Sequence, residues 1–141
     1  MKNIWAVLLL VVSLFSIGRV AAADFSFSDN LPGDDAFATV TFTLDAPATV
    51  TIRTWSFAGG TDSAGRSIPP GGFDPIVSLF DSTGGFIDDN DDGTGVAVDP
   101  ISGDDYDSIL EVALAAGSYT VTVTQYENEA IGPNLSDGFD G

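Results

Sequence analysis

Apolar and polar residues alternate with period two through most of the chain beyond residue 23. In "ATVTFTLD", Val40, Phe42 and Leu44 fall on one face and Thr39, Thr41 and Thr43 on the other. "ATVTIRTWSF" sets Val50 and Ile52 against Thr49, Thr51 and Arg53, and "GSYTVTVTQYE" sets Tyr119, Val121 and Val123 against Thr120, Thr122 and Thr124. Such alternation predicts half-buried antiparallel strands. "PIVSLFDS", "GFIDD" and "DSILEVAL" are shorter strand candidates, with "DSTGG" as the turn between the first two, and "FSFS" at 25–28 offers a further one. "ALAAG" is too short for a helix, and Gly117 leads straight into the next strand. Some six to eight strands with Gly- and Asp-rich turns predict an all-β domain, an antiparallel β-sandwich of the jelly-roll kind. It would occupy 24–130, with a surface excursion at 58–74 and a tail at 131–141 that loses the alternation and is expected to fray.

The first 23 residues break this pattern. Lys2 is followed by the apolar run "IWAVLLLVVSLFSI" and by Ala21-Ala22-Ala23, the layout of a secretory signal peptide. A retained anchor is the competing reading, but the uncharged run ends at Gly18-Arg19, short of the roughly 20 residues a spanning helix needs. The expectation is therefore a secreted or cell-surface product with no membrane insertion after cleavage. All 21 acidic residues lie beyond residue 23, where only Arg53 and Arg66 are basic, so the formal charge there is −19 against −17 for the whole chain. Nucleic acid is excluded as a partner, because phosphate contacts need clustered Lys and Arg. With no cysteine, no disulfide can staple an exported domain, which leaves the core and bound metal.

The charge is concentrated in "GFIDDNDDGTG", where Asp88, Asp89, Asn90, Asp91 and Asp92 are consecutive. Two carboxylates about 4 Å apart repel by roughly 1 kcal/mol even in water, and by more beside a protein surface. Either solvent and turn bonds absorb this, or a hard cation does. Asp88, Asn90, Asp92 and Gly93 match the opening of a calcium loop, whose twelfth position would be Asp99. Asp replaces the usual Glu at that position, and strands flank the loop, so it is not an EF-hand. Zinc and copper are poor fits because the chain has neither His nor Cys. Magnesium is possible but keeps more of its water.

"FDPIVSLFDSTGGFIDDNDDG" followed by "YDSILEVALAAGSYTVTVTQYEN" resembles a bacterial pre-peptidase C-terminal (PPC) domain over roughly residues 37–128. The resemblance implies a jelly-roll sandwich similar to the collagen-binding modules of clostridial collagenases, with calcium held among carboxylates. The ligands it implies are Asn90, Asp91 and Asp92 with Asp74 of the FDP motif, and Asp34 and Asp35 in the N-terminal acidic segment. Asp104, Asp105 and Asp107 of "SGDDYDS" lie close by in sequence, and Asp91 and Asp92 are the leading candidates. Domains of this kind are usually non-catalytic accessories of secreted hydrolases, although here no peptidase precedes it and no sorting tail follows.

Catalysis has few resources. Beyond residue 23 there is no His, Cys or Lys, and Ser108 and Ser118 have no base partner in sequence. A carboxylate pair such as Asp107 and Glu111 is the remaining option, as in a small glycoside hydrolase. A binding module is the stronger expectation, directed at an extracellular glycan or protein polymer. Trp55, sharing a strand face with Arg53 and Phe57, and Tyr126 are candidate platforms, each with core packing as the alternative. A structural role, in which calcium bridges like copies through the acidic face, completes the set.

Overall fold

A computed structural model of the chain describes residues 24–141; the leader expected at 1–23 lies outside the described residues. The strands are β1 Ala38–Leu44, β2 Ala48–Arg53, β3 Gly60–Thr61, β4 Ser67–Ile68, β5 Pro75–Phe80, β6 Phe86–Asn90, β7 Ile109–Leu114 and β8 Gly117–Gln125. A 3-10 turn at Leu135–Asp137 is the helical element among the described residues. No helix among them is long and apolar enough to cross a membrane.

The expected antiparallel sandwich is present. One sheet has the order β1-β8-β5-β6, the second pairs β2 with β7, and β3 with β4 makes a short ladder. The register joins like faces: Val40 opposes Val121 and Phe42 opposes Tyr119 between β1 and β8, and Leu79 opposes Val121 between β5 and β8. In the second sheet Val50 opposes Val112 and Ile52 opposes Leu110. Val77, Leu79, Tyr119 and Val121 of the first sheet meet Leu110 and Leu114 of the second in one buried cluster, with Phe42, Val50 and Ile52 packed against it. The alternation of β1 and β2 thus translates directly into an inner apolar and an outer threonine face.

Short connections carry the chain from one sheet to the other. Residues 45–47 join β1 to β2 and residues 115–116 join β7 to β8, so both arches stack the same two sheets. The Tyr119 hydroxyl donates to the Ala115 carbonyl at 2.9 Å and closes the second arch. "ALAAG" is accordingly strand end and turn. The β5–β6 hairpin turns at Asp81, whose Oδ1 accepts from the Thr83 amide, the Thr83 hydroxyl and the Gly85 amide at 2.7–2.9 Å. Gly84 supplies the positive φ of 84° that this turn requires.

Three local expectations are revised, and that of the 58–74 excursion is made more specific. "FSFS" forms no strand, and Phe25 and Phe27 are exposed. The 58–74 excursion is an ordered hairpin, because Asp62 accepts from the Arg66 amide and pairs with its guanidinium at 2.7 Å while β3 and β4 ladder beside it. The tail is tied down: Phe86 N–H donates to Pro133, Leu135 N–H donates to Gly84, and buried Asn128 accepts from the Gly141 amide. Finally, Thr122 and Thr124 do not face solvent but are buried, at 0% and 1% exposure. β8 is a central strand, and Ile76, Ser78 and Phe80 of its neighbour β5 are buried on the same side. Both threonine hydroxyls lack a hydrogen-bond partner. Because an unsatisfied buried hydroxyl costs roughly 1 to 3 kcal/mol, Thr122→Val is expected to stabilise the protein by about 1 kcal/mol in urea unfolding. A loss of stability would show that the hydroxyl is satisfied.

Candidate metal centre

The site is built on a buried polar knot. Asp107 is 1% exposed, and its carboxylate accepts from the Thr54 hydroxyl and from the amides of Ser56, Phe57 and Ala58 at 2.7–3.2 Å. Next to it, the fully buried Ser108 hydroxyl lies among the carbonyl oxygens of Pro75, Asn90 and Asp91, and can donate to one of them at a time. The Asn90 side chain turns inward and accepts from the Ile109 amide at 2.8 Å, while the Gly93 amide donates to the Asp107 carbonyl at 3.0 Å. A Cβ on Gly93 would collide with Ile109, so glycine is required here for close approach rather than for a sharp turn. These bonds fasten the end of β6 to the start of β7.

Three carboxylates converge beside this knot. Asp74 immediately precedes β5, and Asp91 and Asp92 immediately follow β6. Val77 pairs with Asn90 in the β5–β6 ladder, so the two strand ends lie side by side. Asp74, Asp91 and Asp92 each offer a carboxylate oxygen, and these oxygens lie within 4.8 Å of one another. Asp74 Oδ1 and Asp91 Oδ1 are buried and have no hydrogen-bond partner. The Tyr126 amide donates to the Asp74 carbonyl at 2.8 Å, which sets Tyr126 at the rim. A cavity of about 360 Å³ opens there, lined by Asp74, Asp92, Tyr106 and Tyr126.

Among the described residues no cationic side chain pairs with these carboxylates, and the titration behaviour reflects it. Burial first, then the charges of Asp91, Asp92 and Asp107, push the Asp74 carboxyl from 3.8 up to about 6. Asp91 is raised in the same way, by burial and then by Asp92, Glu129 and Asp89. Where backbone donors reach a carboxylate the direction reverses. The Ser102 amide holds Asp99 below its ordinary value, and hydrogen bonds from Thr83 and Gly85 do so for Asp81. A carboxylate pair left unsatisfied at neutral pH is what a hard divalent ion, bound by oxygen ligands, would neutralise.

The other expected ligands lie elsewhere. Asp88 and Asn90 belong to β6, whose extended ladder cannot wrap around an ion as a calcium loop does. Asp88 is exposed and Asn90 serves the knot. Asp99 is buried in its own turn, accepting from the Ser102 amide at 2.8 Å. Asp34 and Asp35 line a separate cavity of about 320 Å³ with Glu127 and Asp140. Asp107 has both oxygens engaged, and Glu111 stands exposed on β7, so the two do not form an accessible pair. Trp55 is partly buried, with the Arg53 guanidinium 5.0 Å from its ring centroid and the Gly60 backbone against the ring. Tyr126, by contrast, is 52% exposed. Tyr106 was not singled out by sequence; its signal was a lone aromatic within the acidic run "SGDDYDS".

Compared with known protein families, with curated proteins and with solved structures, the chain matches none. The chemistry of the site therefore rests on its own geometry.

Two outcomes test this geometry. Asp107→Asn puts an amide donor where the carboxylate accepts, and is expected to destabilise the fold by about 3 kcal/mol in urea unfolding, the scale of a lost charged hydrogen bond plus a stranded donor. The pH dependence has a definite sign. A carboxyl whose pKa rises on folding binds its proton more tightly in the native state, so metal-free protein gains stability as pH falls from about 6 towards 3.8. The lowered groups Asp62, Asp81 and Asp99 act in the opposite sense, losing their contribution only as pH falls below about 3.8. In EDTA, the melting temperature is expected to climb between pH 7 and 5, and Asp74→Asn to flatten that climb; an equal climb in the variant would assign it to other carboxyls.

Proposed function

We propose that the chain is a secreted, non-catalytic β-sandwich stabilised by calcium, acting as a binding module towards an extracellular polymer. The observation that carries this reading is the convergence of Asp74, Asp91 and Asp92, with buried oxygens of the first two left without a donor. Three carboxylates and no imidazole or thiolate form a donor set for a hard ion, and calcium, at 6–8 oxygens, accepts irregular sets better than magnesium. Support for export comes from the charge and alanine pattern of residues 1–23, and support for a PPC-like jelly roll from the motifs around Asp74 and Asn90–Asp92. Support for a binding role rather than catalysis comes from the engagement of both Asp107 oxygens and from the absence of His, Cys and Lys beyond residue 23.

Extracellular sites commonly bind calcium with a dissociation constant of about 10⁻⁴ to 10⁻³ M. A tenfold excess over the dissociation constant stabilises the native state by roughly 1.4 kcal/mol. For a domain of this size that corresponds to a rise in melting temperature on the order of 5 °C. Calcium added after EDTA is expected to produce that rise at pH 7.5, Asp91→Asn to abolish it, and Asp88→Asn to leave it intact. Superimposable melts with EDTA and with millimolar calcium would sink the reading and leave a solvated acidic rim.

A further inference from the structure

The cavity beside the carboxylates has walls that calcium alone does not use. Tyr106 is 37% exposed and its ring packs at a tilt against Phe57, with ring centroids 4.9 Å apart, which restrains it. Tyr126 lines the same cavity, anchored through its own amide to the Asp74 carbonyl. Two tyrosines and two carboxylates line one cavity, and its volume of about 360 Å³ falls at the lower end for small-molecule pockets, roughly 300 to 1,000 Å³. We infer that this cavity takes a vicinal diol of a neutral sugar, its hydroxyls completing the calcium held by Asp74, Asp91 and Asp92 and its ring lying against Tyr126 and Tyr106. The inference rests on the calcium reading above and names the class of ligand for the same site.

Three features of the chain select that class. First, Asp74, Asp91 and Asp92 supply one carboxylate each, at most six oxygens even if all were bidentate, and calcium takes 6–8. The cavity is lined by Asp74, Asp92, Tyr106 and Tyr126, and beyond the ligands Asp74 and Asp92 its lining adds no carboxylate, so neutral oxygens from outside can finish the set. Second, three carboxylates with one divalent ion retain a net negative charge, and the chain beyond residue 23, these three included, carries a formal −19 with no lysine, which repels anionic polymers. A basic side chain would compete with calcium for the same oxygens, whereas a neutral polyol competes with nothing. Third, a tyrosine joins an apolar face to a hydroxyl that both donates and accepts, matching the apolar ring face and hydroxyl rim of a sugar.

The test uses the chain from residue 24 onward, with mannose, galactose, fucose and N-acetylglucosamine as probes at 10 mM in saturation-transfer NMR, with 2 mM calcium or with EDTA. At least one sugar is expected to bind with calcium and to be lost in EDTA. Tyr126→Ala is expected to weaken that binding by about tenfold, the scale of one stacking contact, while Tyr126→Phe retains it. Both variants are expected to keep the calcium-induced rise in melting temperature, which separates a lost wall from a damaged fold. If calcium raises the melting temperature but none of the four sugars binds, the diol assignment is overturned and the calcium reading stands. Sugar binding that persists in EDTA, or capture of a lysine-rich peptide that strengthens in EDTA, also overturns it. No thermal response to calcium removes both.

Discussion

The buried carboxylate of Asp107 and the hydroxyl of Ser108 organise the acidic end of the sandwich. Between them they gather the backbone of residues 54–58, the start of β5, the end of β6 and the start of β7. A charge without a cationic partner is tolerable in such a place only because four donors surround it. All four donors belong to the one segment 54–58, which is further held by bonds between Thr54 and Ser108 and by the Gly71 and Gly72 amides. Neutralising this group or shifting its neighbours would release several chain segments at once.

Asp74 and Asp91 share this neighbourhood but have had no such provision. Their carboxylates face one another and Asp92 across a few ångströms, and the protein offers them burial instead of donors. The contrast between an amply bonded carboxylate and two unsatisfied ones a short distance away is the strongest physical reason to look for a ligand. Acidic groups elsewhere have been dealt with locally: Asp62 by Arg66, Asp81 by the β5–β6 turn, and Asp99 by the turn that follows it. Asp99 keeps one buried oxygen without a donor, but it stands alone, whereas the three at the strand ends gather at one point.

Much of the sandwich was legible because strand alternation is a local property: Val40, Phe42 and Leu44 announce one buried face whatever lies opposite. The second buried face of β8 was not, since a threonine row reads the same whether it meets water or another layer. Residues 131–141 were unreadable for a related reason, as their anchorage depends on Asn128 and on the carbonyl of Gly84 rather than on any pattern of their own. At the site, Asp91 and Asp92 stood out by density, and Asp74 entered through the motif that precedes β5. The spacing rule that added Asp88 and Asp99 assumes a chain coiled around its ion. Here residues 86–90 are extended in a ladder, and only the residues past its end are free to gather.

The order of strands also governs how this molecule can come into being. β8 is the last strand in the chain yet sits at the middle of the larger sheet, joining β1, some 75 residues upstream at the Thr43–Ser118 contact, to β5. Neither β1 nor the β5–β6 hairpin has a partner across that gap until Gly117–Gln125 has been made and has slotted in between. Assembly of the larger sheet therefore waits for Gly117–Gln125 and is slow for so small a domain, as expected where distant pairings dominate. Until that strand arrives, the facing edges of β1 and β5 carry unpaired backbone groups, open to any other extended segment that reaches them first.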